Sequence, residues 1–69
     1  MSEQQQEMME YTTQDLVAFL MEDYQLPIND AMDRVYSSKT FEKLADVETG
    51  LYLQGSAYVY EWLNAELDR

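Results

Sequence analysis

Hydrophobic positions recur along most of this chain with the spacing of amphipathic α-helices. The first helical pattern follows Thr12 and Thr13, residue types that commonly cap a helix N-terminus, and it ends before Pro27. The apolar side of this pattern contains Leu16, Val17, Leu20 and Tyr24, with Phe19 on its flank. The spacing predicts a first helix over about residues 13–24.

Two further amphipathic patterns occupy the middle of the chain. Pro27 suits the first turn of a second helix, which is predicted to extend to about Tyr36. Ser37 or Ser38 is expected to cap a shorter third helix, and Gly50 provides the left-handed residue that often ends a helix. The apolar residues expected to face inward are Ile28, Ala31, Met32, Val35, Tyr36, Phe41, Leu44 and Ala45.

The last third of the chain predicts a connector and a final helix. Residues 51–53 have the apolar character of an extended connector, and Gly55 with Ser56 indicates a turn and an N-cap before a helix that begins near Ala57. The predicted inward stripe of that helix is Val59, Trp62, Leu63 and Leu67, with Tyr58 and Tyr60 on its two flanks. This apolar arc is wider than one packing contact requires. The pattern as a whole predicts an all-α fold, a compact bundle of three to four short helices.

The start of the chain differs in composition from the remainder. Its first ten residues hold three glutamates and three glutamines, and only Met8 and Met9 add apolar content beyond Met1. So few apolar side chains bury too little surface to offset the entropy of ordering the backbone. We therefore predict a disordered acidic tail over residues 1–11 and one helical domain over residues 12–69.

Composition excludes several classes of chemistry. Fourteen Asp and Glu residues against four Lys and Arg residues give a net charge of −10, which disfavours binding to nucleic acid or to an anionic membrane and favours a protein partner with a basic face. No histidine or cysteine is present, so the commonest metal ligand, the thiolate nucleophile and the disulfide are all missing. The longest apolar run, residues 16–21, is too short to span a bilayer, and the acidic start is unlike a signal peptide. A cytoplasmic location is expected.

The carboxylates are the remaining candidates for catalysis or metal binding. Asp30 and Asp33 lie three residues apart and share one side of a helix, as solvated surface acids often do. Asp46 and Glu48 precede Gly50 as in part of a calcium loop, but the other ligands of such a loop are missing, and a helix end explains the pattern better. We predict no catalytic, metal-binding or cofactor-binding residue, and no enzymatic activity.

Aromatic residues are abundant, with six tyrosines and one tryptophan among 69 residues. Such side chains dominate both small cores and the energetic centres of protein interfaces. The core is the expected place for Phe19, Phe41 and Trp62, whereas a domain this small cannot bury every tyrosine of its last third. The candidate partner-binding residues are Tyr52, Tyr58, Tyr60 and Trp62.

Three segments carry a resemblance to a known family. They are LVAFLMEDY, AMDRVYSSKTFEKL and LYLQGSAYVYEWL, which read as an apolar helix with an acidic-aromatic end, an amphipathic helix, and an aromatic segment leading into a closing helix. In this order they resemble a family of small uncharacterised bacterial proteins, a domain of unknown function, some of whose genes lie beside ADP-ribosyltransferase-like toxin genes. The resemblance implies an antitoxin or accessory subunit in a bacterial cytoplasm.

These observations together favour a non-enzymatic protein-interaction module. Its acidic surface would steer a basic partner, and its aromatic patch would then be buried in the contact. One alternative is a self-associating structural protein that forms a homodimer through the last helix. Another is a mimic of nucleic-acid charge. The sequence leaves the identity of the partner and the oligomeric state open.

Overall fold

The computed structural model describes residues 2–67, and within that range the fold is all-α with no strand. The described part measures 33 × 21 × 18 Å along its principal axes. Two single 3-10 turns, Val47–Thr49 and Leu51–Leu53, precede the last helix. The four helices are α1 (Glu3–Tyr24), α2 (Ile28–Tyr36), α3 (Lys39–Ala45) and α4 (Ser56–Leu67). The predicted bundle of short helices is confirmed.

Helix α1 begins ten residues earlier than its apolar spacing predicted. Ser2 caps it in a reciprocal capping box, in which the Gln5 amide donates to the Ser2 hydroxyl (3.2 Å) and the Ser2 amide donates to the Gln5 side chain (2.9 Å). Met9 is buried in the core, with 8 % of its surface exposed. The structure therefore corrects the expected tail over residues 1–11, since residues 3–11 are helical and Met9 packs against the domain; Met1 lies outside the described residues.

The connector before α4 also differs from the prediction. Leu51–Leu53 forms a 3-10 turn, and this turn directs both Leu51 and Tyr52 into the core. In an extended segment these neighbouring side chains would point to opposite sides, so only one of them would be buried. Gly50 adopts the predicted left-handed conformation (φ +67°), but it ends the 3-10 turn Val47–Thr49, whereas α3 already ends at Ala45.

Long helix α1 lies at the centre of the packing. At about 1.5 Å per residue, its 22 residues span the long dimension of the molecule. Gln25, in a left-handed conformation (φ 54°), ends α1, and α2 then returns antiparallel along it. The described residues share one core, and its buried hydrophobic members are Met9, Leu16, Val17, Leu20, Ala31, Val35, Leu44, Leu51, Tyr52, Val59 and Leu63.

Helix α4 packs against α1 in a parallel orientation. Three side-chain hydrogen bonds join the two helices. Their partners follow one another in the same order along α1 and along α4. The pairs are the Ser56 hydroxyl donating to Asp15 (2.6 Å), the Tyr60 hydroxyl donating to Asp23 (2.6 Å) and the Tyr24 hydroxyl donating to the Asn64 side-chain oxygen. Helix α1 therefore has α2 on one side and α4 on another.

Candidate interaction surfaces

The four aromatic residues that the sequence predicted for partner contact differ in their exposure in the structure. Tyr52 is buried, and Tyr60 is partly buried against α1. Tyr58 and Trp62 remain 46 % and 44 % exposed, and they lie one helical turn apart on the same side of α4. Only these two are therefore available together on the surface of the described fold.

Tyr52 and Tyr60 act within the fold. The Tyr52 hydroxyl accepts a hydrogen bond of 2.9 Å from the Gln5 side chain, which ties the 3-10 turn to the start of α1. The Tyr60 ring packs on Phe19 with 5.0 Å between centroids. Burial, followed by the hydrogen bond to Asp23, raises the pKa of the Tyr60 hydroxyl, so this group stays a protonated donor. The assignment of Tyr52 to a contact patch is corrected, because its side chain is part of the core.

Tyr58, Trp62 and Lys43 form the exposed patch that we call the Trp62 surface. The two aromatic rings are 6.4 Å apart between centroids, and the Lys43 ammonium lies 4.8 Å from the centre of the Trp62 ring, within the range of a cation–π contact. A cleft of about 490 Å³ adjoins this surface between α3 and α4, and Ala65 lines it. Trp62 was expected in the core, but Val59 and Leu63 supply the buried positions of α4.

Glu66, near the end of α4, caps the start of α3. Its carboxylate accepts hydrogen bonds from the backbone amides of Lys39 (2.8 Å) and Thr40 (2.9 Å), and from the Thr40 hydroxyl (2.8 Å). Partial burial by itself raises the pKa of Glu66, but these hydrogen bonds outweigh it and hold the pKa below its ordinary value. The interaction fixes α4 beside α3, and Glu66 and Thr40 line the cleft next to the Trp62 surface.

We expect Glu66→Gln to lower the free energy of unfolding at neutral pH by about 1 kcal/mol, the usual scale for a helix N-cap. Because the pKa of Glu66 is lower in the folded than in the unfolded chain, this stabilisation is complete above the unfolded pKa and is lost as pH falls through the folded pKa. Urea denaturation at neutral pH and near pH 3 measures both effects. Glu61→Gln, an exposed acid on the same helix, is the control. A difference between wild type and Glu66→Gln that does not shrink in acid would contradict the assignment.

A second exposed apolar surface lies between α1 and α2. Val17, Ala18 and Met21 of α1 face Ile28, Met32 and Tyr36 of α2 across a depression of about 280 Å³, which we call the α1–α2 groove. The α2 residues were predicted to face inward, yet Ile28, Met32 and Tyr36 are 54 %, 37 % and 51 % exposed.

The sequence contained a signal for this groove. Five of the nine residues of α2 are apolar, but contact with α1 and α3 buries only Ala31 and Val35 completely. The apolar stripe of α2 is therefore wider than its packing needs.

The described residues contain no cluster of side chains that could bind a metal ion. Within residues 2–67, no group of three or more carboxylate, histidine or cysteine side chains is placed to hold an ion. Every buried side-chain nitrogen or oxygen in this range has a hydrogen-bond partner. Along the same stretch, no helix has both the length and the apolar composition needed to cross a bilayer.

Comparisons of the chain with protein-family models, with curated proteins and with solved structures gave no match.

Proposed function

We propose that this protein is a non-enzymatic interaction module that binds a partner protein through the Trp62 surface. The observation that carries the proposal is the pair Tyr58 and Trp62, two large aromatic side chains that lie side by side on α4 and are each nearly half exposed. Tryptophan and tyrosine are the residues most enriched at the energetic centres of protein interfaces. A partner that covers this pair gains apolar burial while the cleft edge supplies polar contacts.

The overall charge supports a protein partner with a basic face. A net charge of −10 on a small domain produces a negative field that raises the association rate of a positively charged protein. Lys43 is part of the Trp62 surface and Lys39 lines the adjoining cleft, so the acidic residues of the domain contribute to steering more than to the central contact. Affinity then depends on aromatic burial, and the association rate depends on salt.

We expect Trp62→Ala to weaken partner binding by about tenfold or more, because the indole supplies the largest apolar area of the contact. The measurement is quantitative affinity capture of the partner from cells that encode this protein, followed by titration of the purified pair. Tyr11→Ala is the matched control, since Tyr11 is 66 % exposed on α1 and lies outside the Trp62 surface. Equal affinity of Trp62→Ala and wild type would exclude this surface as the binding site.

A more specific form of the proposal is an antitoxin or accessory subunit. It is supported by the resemblance of three segments to small bacterial proteins, some encoded beside ADP-ribosyltransferase-like toxins. An ADP-ribosyltransferase-like protein captured by wild type and lost with Trp62→Ala would support this form. Capture of a partner of another class would be consistent with the proposed interaction module but would contradict the antitoxin assignment.

Self-association through α4 is the second candidate, because Tyr58 and Trp62 lie on one side of one helix and two copies could share them across a twofold axis. Light scattering over a dilution series separates this from binding to another protein. A dimer in wild type that becomes monomeric with Trp62→Ala would assign the Trp62 surface to self-association.

A further inference from the structure

The buried polar side chain that lines the α1–α2 groove is hydrogen-bonded within the protein. Thr13, at one end of the groove, is 7 % exposed, and its hydroxyl donates a hydrogen bond of 2.7 Å to the Met9 carbonyl of the preceding turn. The hydroxyl is thereby satisfied within α1. An apolar ligand that covers this end of the groove therefore leaves the buried hydroxyl with its hydrogen-bond partner.

A second depression of about 260 Å³ lies next to the groove, between α3 and the N-terminal part of α1. It shares Thr13 and Tyr36 with the groove, and it extends past Glu10 to Gln6. From Gln6 to Met21 the helix rises roughly 22 Å, which is about four turns of an α-helix. The groove and the second depression together have the length of a short helix lying along α1.

Two of the exposed groove residues are methionines, Met21 and Met32. The unbranched, polarisable side chain of methionine adapts to differently shaped apolar partners, and it is frequent on surfaces that accept amphipathic helices. The composition of the groove therefore suits the apolar face of a helix better than one rigid small molecule.

Acidic residues border the two depressions. Glu10 lines the second depression, and Glu3 and Glu7 lie on the same side of α1 at helical spacing. On α2, exposed Asp33 precedes Tyr36 by three residues. Neither depression is lined by lysine or arginine. A ligand that lies along both depressions meets an apolar floor and several carboxylates.

We propose that the α1–α2 groove binds an amphipathic helix of a partner protein whose apolar face is flanked by lysine or arginine residues. The apolar face packs between Met21 and Met32, and the basic residues lie near the carboxylates at the N-terminal part of α1. This site is distinct from the Trp62 surface, so either proposal can fail without the other.

A second copy of this chain fits the groove poorly. Each copy carries a net charge of −10, so pairing two grooves would bring two strongly negative chains together. Like charges placed opposite each other in an interface oppose association. Charge complementarity therefore favours a basic segment from a different protein.

The test uses the full chain of 69 residues and a fluorescently labelled amphipathic peptide, LKKLLKLLKKLLKL. Anisotropy titrations compare wild type with Ala18→Arg, which places a long charged side chain in the groove at an exposed helical position. The control is Ala65→Arg, which makes the same change of charge at the exposed Ala65 in the cleft of the Trp62 surface. We expect Ala18→Arg to weaken binding by about tenfold or more and Ala65→Arg to change it less than about threefold.

Several outcomes would overturn the proposal. Equal loss in both variants would show that the peptide is held by general charge attraction, and a larger loss with Ala65→Arg would move the site to the Trp62 surface. Equal binding of the glutamate counterpart LEELLELLEELLEL, or no binding of the lysine peptide to wild type, would also contradict it. A wild-type dimer that Ala18→Arg dissociates would assign the groove to a second copy. Circular dichroism establishes that each variant is folded, and Met21→Gln replaces Ala18→Arg if the latter is not.

Discussion

Met9→Ala is expected to lower the free energy of unfolding by about 2 kcal/mol or more. Met9 is 8 % exposed, and replacing a buried methionine with alanine removes apolar contacts and leaves a cavity. The site lies in the segment whose composition predicted a disordered tail. A measurable loss of stability in urea denaturation would therefore show that this segment is part of the folded domain.

The matched control is Glu7→Ala, because Glu7 lies in the same segment of α1 but is exposed. Alanine is at least as good a helix former as glutamate, so this variant should differ from wild type by less than about 0.5 kcal/mol. If Met9→Ala were as stable as Glu7→Ala, the N-terminal part of α1 would not pack against the core in solution.

Leu20→Ala is expected to have a still larger effect, a loss of about 3 kcal/mol. Leu20 is fully buried at 0 % exposure, and truncation of a buried leucine commonly costs 2–5 kcal/mol. A domain of this size has a total stability of roughly 3–10 kcal/mol, so this one change could remove most of it. Thermal and urea unfolding followed by circular dichroism measure the loss.

Leu53→Ala provides the comparison for Leu20→Ala, since it is the same substitution at a side chain that is 63 % exposed. Surface truncations of this kind usually change the free energy of unfolding by no more than about 0.5 kcal/mol. Similar losses in the two variants would contradict the position of Leu20 at the centre of the core.

The all-α class and the inner residues of the bundle could be predicted from periodicity. Each helix has an apolar stripe at helical spacing, and the members of these stripes that are fully buried include Leu16, Leu20, Val35, Leu44 and Leu63. Apolar spacing is informative there because each helix buries a stripe of its own residues. It says less about where a helix begins, because the start of a helix depends on local capping and not on burial.

The start of α1 illustrates that limit. Ser2 and Gln5 have the serine-to-glutamine spacing of a capping box, whereas the predicted tail rested on the low apolar content of the segment alone. The burial of Met9 depends on the rest of the domain, which local composition does not describe. Helical order in this segment therefore comes from a cap at one end and from tertiary contact further along.

The candidate surfaces were only partly predictable. A wide apolar arc on the last helix indicated an excess of aromatic residues, but the arc could not show which of them would be covered. Tyr60 lies against Phe19, and Tyr52 turns inward because its segment is a 3-10 turn. Both outcomes depend on contacts with α1, which lies far away in the sequence. Trp62 is left exposed because Val59 and Leu63 already supply the buried side of α4.

The parallel packing of α1 and α4 has a consequence for the order of folding events. Partners joined by hydrogen bonds between these helices lie 37 to 41 residues apart, whereas α1 and α2 are connected by three residues. A longer loop loses more chain entropy when it closes, before its contacts can compensate. We expect the α1–α2 hairpin to form first and α4 to dock last. The single tryptophan, which lies on α4, therefore reports on the final step of refolding.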